Sequence, residues 1–171
     1  MLDTIRRWMG QAPEPKRISQ HAPISVSAPR VPRYDSSLIS SLKHDHHNLV
    51  DLFEQIGRLA ELGRFRELPA MLVAFKTALE SHVIAENVRF YNYVENSLVG
   101  DDENIQLIRD FRREMNGIAR AVVDFVKKYH LYEFDEYTRK SFLKEYAAVG
   151  GLLAQRIQRE ESNLYPLYQP V

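Results

Sequence analysis

The chain has 171 residues, with 23 Lys and Arg against 23 Asp and Glu and no cysteine. That length suits one domain whose core hides roughly 70% of the surface an unfolded chain would expose. The zero formal net charge provides no basic field for nucleic acid. The lack of cysteine excludes disulfides, thiolate metal sites and a cysteine nucleophile, and fits a reducing compartment. No run approaches the about 18 consecutive apolar residues of a spanning helix, and the N-terminus lacks the apolar stretch of a signal peptide. A cytoplasmic location is the expectation.

Met1 to Met9 sets Leu2, Ile5, Trp8 and Met9 largely on one side and Asp3, Arg6 and Arg7 on the other, a turn or two of amphipathic helix that is marginal alone in water. It reads either as a frayed terminus folded back on the domain, or as a docking peptide for a protein partner or an anionic membrane surface. From Gln11 to about Tyr34 the chain carries Pro13, Pro15, Pro23, Pro29 and Pro32 without helical or strand period, the pattern of an extended tether. The expected organisation is therefore an N-terminal extension over 1–35 and one domain over 36–171.

Within that domain Ser36 or Ser37 is placed to cap a first helix, over about 37–61. Gly63 offers a stop and Pro69 suits the first turn of a second helix that runs to about Ser97. Asp101 and Asp102 follow Gly100 and open the third, which ends near Lys127 to His130. Asp135 starts the fourth, over about 135–163, with Pro166 beyond it. Gly150 and Gly151 within this last helix predict a bend or a close approach of a neighbouring helix. Four long amphipathic helices with short links predict an all-α, antiparallel, up-down-up-down four-helix bundle.

Each helix has an apolar stripe, walked in steps of three and four residues, and each stripe is broken at a similar depth. The first reads Ile39, Leu42, His46, Leu49, Phe53, Ile56, Ala60, and the second Leu72, Phe75, Leu79, His82, Glu86, Phe90. The third reads Ile108, Phe111, Met115, Ile118, Val122, Phe125, and the fourth Phe142, Tyr146, Val149, Leu153, Arg156, Glu160, Asn163, Leu167. Polar groups on the driest face are costly without partners, and a shared polar layer inside a bundle is where metal sites are built. His82 and Glu86 stand one turn apart and can reach a common point; His46 and Glu160 would complete four ligands from three helices. Nitrogen and carboxylate oxygen suit iron, manganese or zinc. A core histidine bonded to a carboxylate is the plainer reading of His46. His44 and His47 point off the stripe, and Tyr91, Tyr93, Tyr165 and Tyr168 read as wall residues of the bundle ends. No nucleophile–base pair, phosphate-cradling loop or dinucleotide fingerprint is present, so no catalytic residue is assigned and an enzyme is the least favoured class.

The segments Asp45-His46-His47-Asn48-Leu49, His82-Val83-Ile84-Ala85-Glu86 and Glu160-Glu161-Ser162-Asn163-Leu164-Tyr165-Pro166-Leu167 resemble those of the bacterial hemerythrin-like, or HHE cation-binding, domains. The likeness covers about residues 36 to 168. It implies a bundle holding a two-iron site, with a role in binding oxygen, storing or sensing iron, or responding to nitric oxide or redox signals. Carried over by position, the implied metal ligands are His46, His82, Glu86 and Glu160.

Two positions depart from the family pattern. Met115 stands where helix three has its histidine, and Arg156 where helix four begins its His-x-x-x-Glu pair. A guanidinium cannot ligate, but it can pair with Glu86 and Glu160 and supply a fixed positive charge. Two functions therefore stay open. One is a cation-binding or sensing protein with a reduced non-heme iron site. The other is a metal-free interaction or regulatory module in which Arg156 replaces the metal's charge. Arg156-Ile157-Gln158-Arg159-Glu160-Glu161 is also similar to the last helix of the regulators that sequester the housekeeping sigma factor, which implies association with an RNA polymerase subunit.

Overall fold

The computed structural model describes residues 32–131 and 134–171; the expected amphipathic segment and most of the proline-rich stretch lie outside them. Four helices form the domain: α1 (Leu38–Glu61), α2 (Leu68–Ser97), α3 (Asp102–Tyr129) and α4 (Glu136–Arg159). No strand occurs among the described residues. Packing runs α1 to α2, α2 to α3, α3 to α4 and α4 back to α1, the ring of an up-and-down four-helix bundle.

The helix ends follow mostly from the anticipated local chemistry. Asp101 accepts a bond from the Asn104 amide, and Asp135 from that of Thr138, each answering an otherwise free amide of the first turn. Gly63 has φ +68°, a conformation that an L side chain resists, so the chain turns there after α1. The start of α1 differs from expectation. Ser37 makes no side-chain cap; instead Asp35 accepts from both the amide and the hydroxyl of Ser37, at 2.9 and 2.7 Å, and pairs with Arg89. Tyr34 stacks on Tyr168, 5.0 Å between centroids, and the Asp35 amide donates to the Tyr168 hydroxyl at 2.9 Å. The last residues assigned to the tether are thus fastened to the bundle.

Gly150 and Gly151 have different surroundings. A Cβ at Gly150 would lie 2.8 Å from Cε1 of Phe53, whereas one at Gly151 meets nothing within 4 Å. Gly150 therefore serves the close approach of α1 to α4. Gly57 faces the same pair of helices from the other side, under the Tyr146 ring.

Two apolar clusters fill the bundle. One centres on Leu49, Ile56, Leu72, Phe75, Leu79, Val122, Phe125 and Phe142; the other holds Leu38, Leu42, Phe90, Tyr91, Ile108, Phe111, Leu164 and Tyr165. Between Leu42 and Leu49 on α1, Leu79 and Phe90 on α2, and Val149 and Leu164 at the end of α4, the stripe turns polar. On length and composition α2 is the described helix apolar enough to cross a membrane, yet its buried residues Leu68, Leu72, Phe75 and Leu79 belong to the first cluster.

In two places the α-helical ladder widens to a π turn: Glu86–Tyr91 within α2 and Glu160–Leu164 after α4, the latter running into a 3₁₀ turn over Tyr165–Leu167. Each begins at a carboxylate of the polar layer. A π turn adds a residue to the step and so moves the buried face. This corrects the fourth stripe: Asn163 is exposed, while Leu164, Tyr165 and Tyr168 are buried.

Candidate metal centre

His46, His82, Glu86, Arg156 and Glu160 are the buried polar or charged side chains among the described residues, each at 2% exposure or less. Met115 is buried on α3. Residues from all four helices thus reach one layer, at the depth where their stripes break.

Arg156 organises one side. Its Nε donates to Glu160 Oε1 at 2.7 Å and one terminal nitrogen donates to the Tyr91 hydroxyl at 2.9 Å, while the other lies 3.7 Å from Glu114 Oε2. Its guanidinium carbon stands 4.9 Å from the centroid of the Phe111 ring, within cation–π range. Arg156 therefore pairs with Glu160 as expected, but no ion pair or hydrogen bond joins it to Glu86; Tyr91 takes that place.

His46 organises the other side. Its Nε2 lies 3.1 Å from Glu160 Oε2 and its Nδ1 2.8 Å from Glu161 Oε1, so both ring nitrogens face carboxylates, an arrangement that favours the protonated ring. Burial opposes that charge, but the bonds to Glu160 and Glu161 outweigh it and raise the His46 pKa. The Tyr165 ring stacks on His46, and its hydroxyl lies 3.2 Å from Nε2 and donates to Glu86 Oε1 at 3.1 Å.

His82 and Glu86 remain incompletely answered. His82 lies 4.7 Å from His46, centroid to centroid, with Nδ1 3.7 Å from Asp45 Oδ2 and Nε2 4.0 Å from Glu86 Oε2. Neither ring nitrogen has a hydrogen bond, nor does Glu86 Oε2. Burial, reinforced by the charge on His46, pushes His82 down to about 4. Burial, reinforced by Glu160, pushes Glu86 up to about 8 despite Arg156. Both shifts favour the neutral form, which lowers the cost of enclosing the two groups.

The unmet atoms point to the donor set. His46, His82 and Glu160 each offer one ligand atom, all within 4.8 Å of one another. Metal bonds of about 2.1 Å put opposite ligands about 4.2 Å apart, so small inward side-chain movements would close the set on one ion. Glu86 lies beside it through His82. The residues present fit one cation. They do not supply two full ligand sets, because Met115 and Arg156, which line the same cavity, offer a weakly accepting thioether and a guanidinium that cannot ligate.

Tyr91 and Tyr165 belong to this network, contrary to their reading as wall residues; Tyr93 and Tyr168 do close the bundle end, 4.7 Å apart. The available signal was a repeat: His82, Glu86 and Tyr91 recur as Arg156, Glu160 and Tyr165, with the same steps of four and five. The final step of five matches the π turns. His44 and His47 are exposed, with His47 bonded to the Lys43 carbonyl, and His130 bonds the Val126 carbonyl at the end of α3.

A family model described as the hemerythrin HHE cation binding domain matches residues 37–168. No curated protein and no solved structure matches the chain.

Proposed function

The chain belongs to the hemerythrin HHE cation-binding domain family, and on that premise we propose that it is a binding or sensing protein holding a single non-heme iron ion through His46, His82 and Glu160, with Glu86 as a fourth ligand. The observation that carries this reading is the convergence of three ligand atoms within 4.8 Å beside buried His82 and Glu86 atoms that lack hydrogen bonds. Imidazole and carboxylate donors suit iron, manganese and zinc alike; iron is chosen because the family resemblance implies it. A bound iron ion would supply Lewis acidity and, if coordination positions stay open, a place for a small oxygen-type ligand.

The chain's own residues prepare the site. Arg156 and His46 hold Glu160 from opposite sides, fixing its carboxylate in the layer. Tyr165 orients Glu86. Glu161 holds the far nitrogen of His46, the usual way in which an outer carboxylate sets the ring orientation of a metal-binding histidine. His46 and Glu86 would have to give up protons to hold a cation, so affinity would rise with pH. Arg156 also supplies a permanent positive charge where the family's second ion would sit, which restricts the site to one ion.

A second reading draws on the same arginine. The bond from Arg156 to Glu160 and that from His46 to Glu160 answer the buried carboxylate without an ion, which favours a metal-free helical module acting through a protein partner. Metal analysis of protein purified without added metal separates the two. Iron near one per chain supports the first, and a chain that stays empty after iron loading supports the second.

A further inference from the structure

A cavity of about 210 Å³ lies between α1 and α4 and reaches inward to the polar layer. Its walls are Leu49, Phe53, Phe75, Leu79, Met115 and Leu153, and His46, His82, Arg156 and Glu160 close its inner end. Val50, Ala154 and Glu54 stand at its exposed mouth. A void of about 150 Å³ with apolar walls is enough for benzene, so this one admits a six-membered ring with a small substituent. It is far larger than a diatomic gas needs. Water is a poor occupant of the apolar part, since an ordered water needs two to four polar partners.

The inner end defines the head group. Glu160 is already held by Arg156 and His46, and the remaining terminal nitrogen of Arg156 lies 3.7 Å from Glu114 on α3. An anionic head would thus have to share Arg156 with Glu160 at 2.7 Å and Glu114 at 3.7 Å. Two groups there are left short: one terminal nitrogen of Arg156, which has only Glu114 at 3.7 Å, and His82, 2% exposed and without a hydrogen bond at either nitrogen. A neutral imidazole has one donor and one acceptor, and a hydroxyl, itself both donor and acceptor, can satisfy either.

We propose that this cavity binds a small uncharged phenol, with its hydroxyl on His82 and its ring among Leu49, Phe75, Leu79 and Met115. The site needs no metal, although it shares His82 with the proposed ion.

The test uses the full chain stripped of metal and titrated with phenol, benzene and benzoate. Calorimetry gives the stoichiometry, and nuclear magnetic resonance follows the His82 ring and the Met115 methyl group. Phenol is expected to bind at one site and to shift both signals, with benzene about 5- to 10-fold weaker for lack of the hydroxyl and benzoate weaker than phenol. Ala154→Trp, at the exposed mouth, is expected to abolish phenol binding while leaving the helical circular dichroism intact. Absence of saturable phenol binding, tighter binding of benzoate, unmoved His82 and Met115 signals in the unmodified chain, or unchanged binding in a folded Ala154→Trp variant would each overturn the proposal. Because the protein is metal-free throughout, such a failure is distinct from failure of the single-iron reading, which rests on stoichiometry after iron loading.

Discussion

Arg156→Met removes the cation of the buried layer while keeping a long, flexible side chain of similar reach. Arg156 and Glu160 are each 1% exposed and joined at 2.7 Å, so solvent screens the pair little. Removing one member of such a pair costs about 3–5 kcal/mol, because the other charge stays buried. For a domain of this size that is a fall of about 10 to 15 °C in the melting midpoint. His46 still faces Glu160, which sets the expectation at the low end, near ~3 kcal/mol. Glu160→Gln should cost a similar amount, by leaving the guanidinium with Tyr91 and the more distant Glu114. The double variant buries neither charge, and its loss should fall short of the sum of the two by at least ~2 kcal/mol, the signature of direct coupling. Urea unfolding of the metal-free wild type, both single variants and the double variant measures this. Additivity within ~0.5 kcal/mol would refute the view that Arg156 acts through Glu160.

Other expectations follow from the same layer. Arg156→His should raise iron uptake above one per chain, since an imidazole can ligate where a guanidinium cannot; unchanged stoichiometry and absorbance would show that Arg156 does not block a second ion. Tyr165→Phe should destabilise the metal-free protein by about 1–3 kcal/mol, by leaving the buried Glu86 oxygen without its donor, as read by urea unfolding. Gly150→Ala gains about 1 kcal/mol of helix propensity, but its new Cβ would sit 2.8 Å from a Phe53 ring edge. That ring is stacked on Tyr146 at 4.2 Å, so a net loss of about 1 kcal/mol is expected, visible as a lower melting midpoint.

The metal-free protein should also lose stability as pH rises from about 6.5 to about 8. The folded chain holds more protons than the unfolded one over that window, because His46 is raised above its ordinary 6.5 and Glu86 above its ordinary 4.5, to about 8. The His46 contribution is full below about 6.5 and fades as the folded ring loses its proton, while that of Glu86 is full only below about 4.5 and is still fading up to about 8. His82, pushed down to about 4, acts oppositely and only below about 6.5, where its contribution fades as pH falls. Melting midpoints that stay level or rise between pH 6.5 and 8 would contradict this.

Much of the bundle could be read from periodicity, because each helix keeps its apolar residues on one face and the breaks in that face fall at one depth. His46, His82, Glu86, Met115, Arg156 and Glu160 were all picked out by such breaks, and the structure brings all six to one buried layer. Helix starts at Asp101 and Asp135 were legible because an aspartate there can take up free amides. The role of Asp35 was not, since it depends on Arg89 and Tyr168, which are distant in sequence. Tyr91 and Tyr165 read as wall residues because steps of three and four assume an unbroken α-helix, whereas the π turns that begin at Glu86 and Glu160 swing the next residues onto a different face. The choice of Tyr91 over Glu86 as the second partner of Arg156 depends on that same rotation.

Iron content is the most direct measurement. Full-length protein, loaded with ferrous iron and freed of excess, should hold close to one iron per chain, and His82→Ala should hold almost none. Two irons per chain, or one iron retained by His82→Ala, would contradict a single-ion centre at His46, His82 and Glu160.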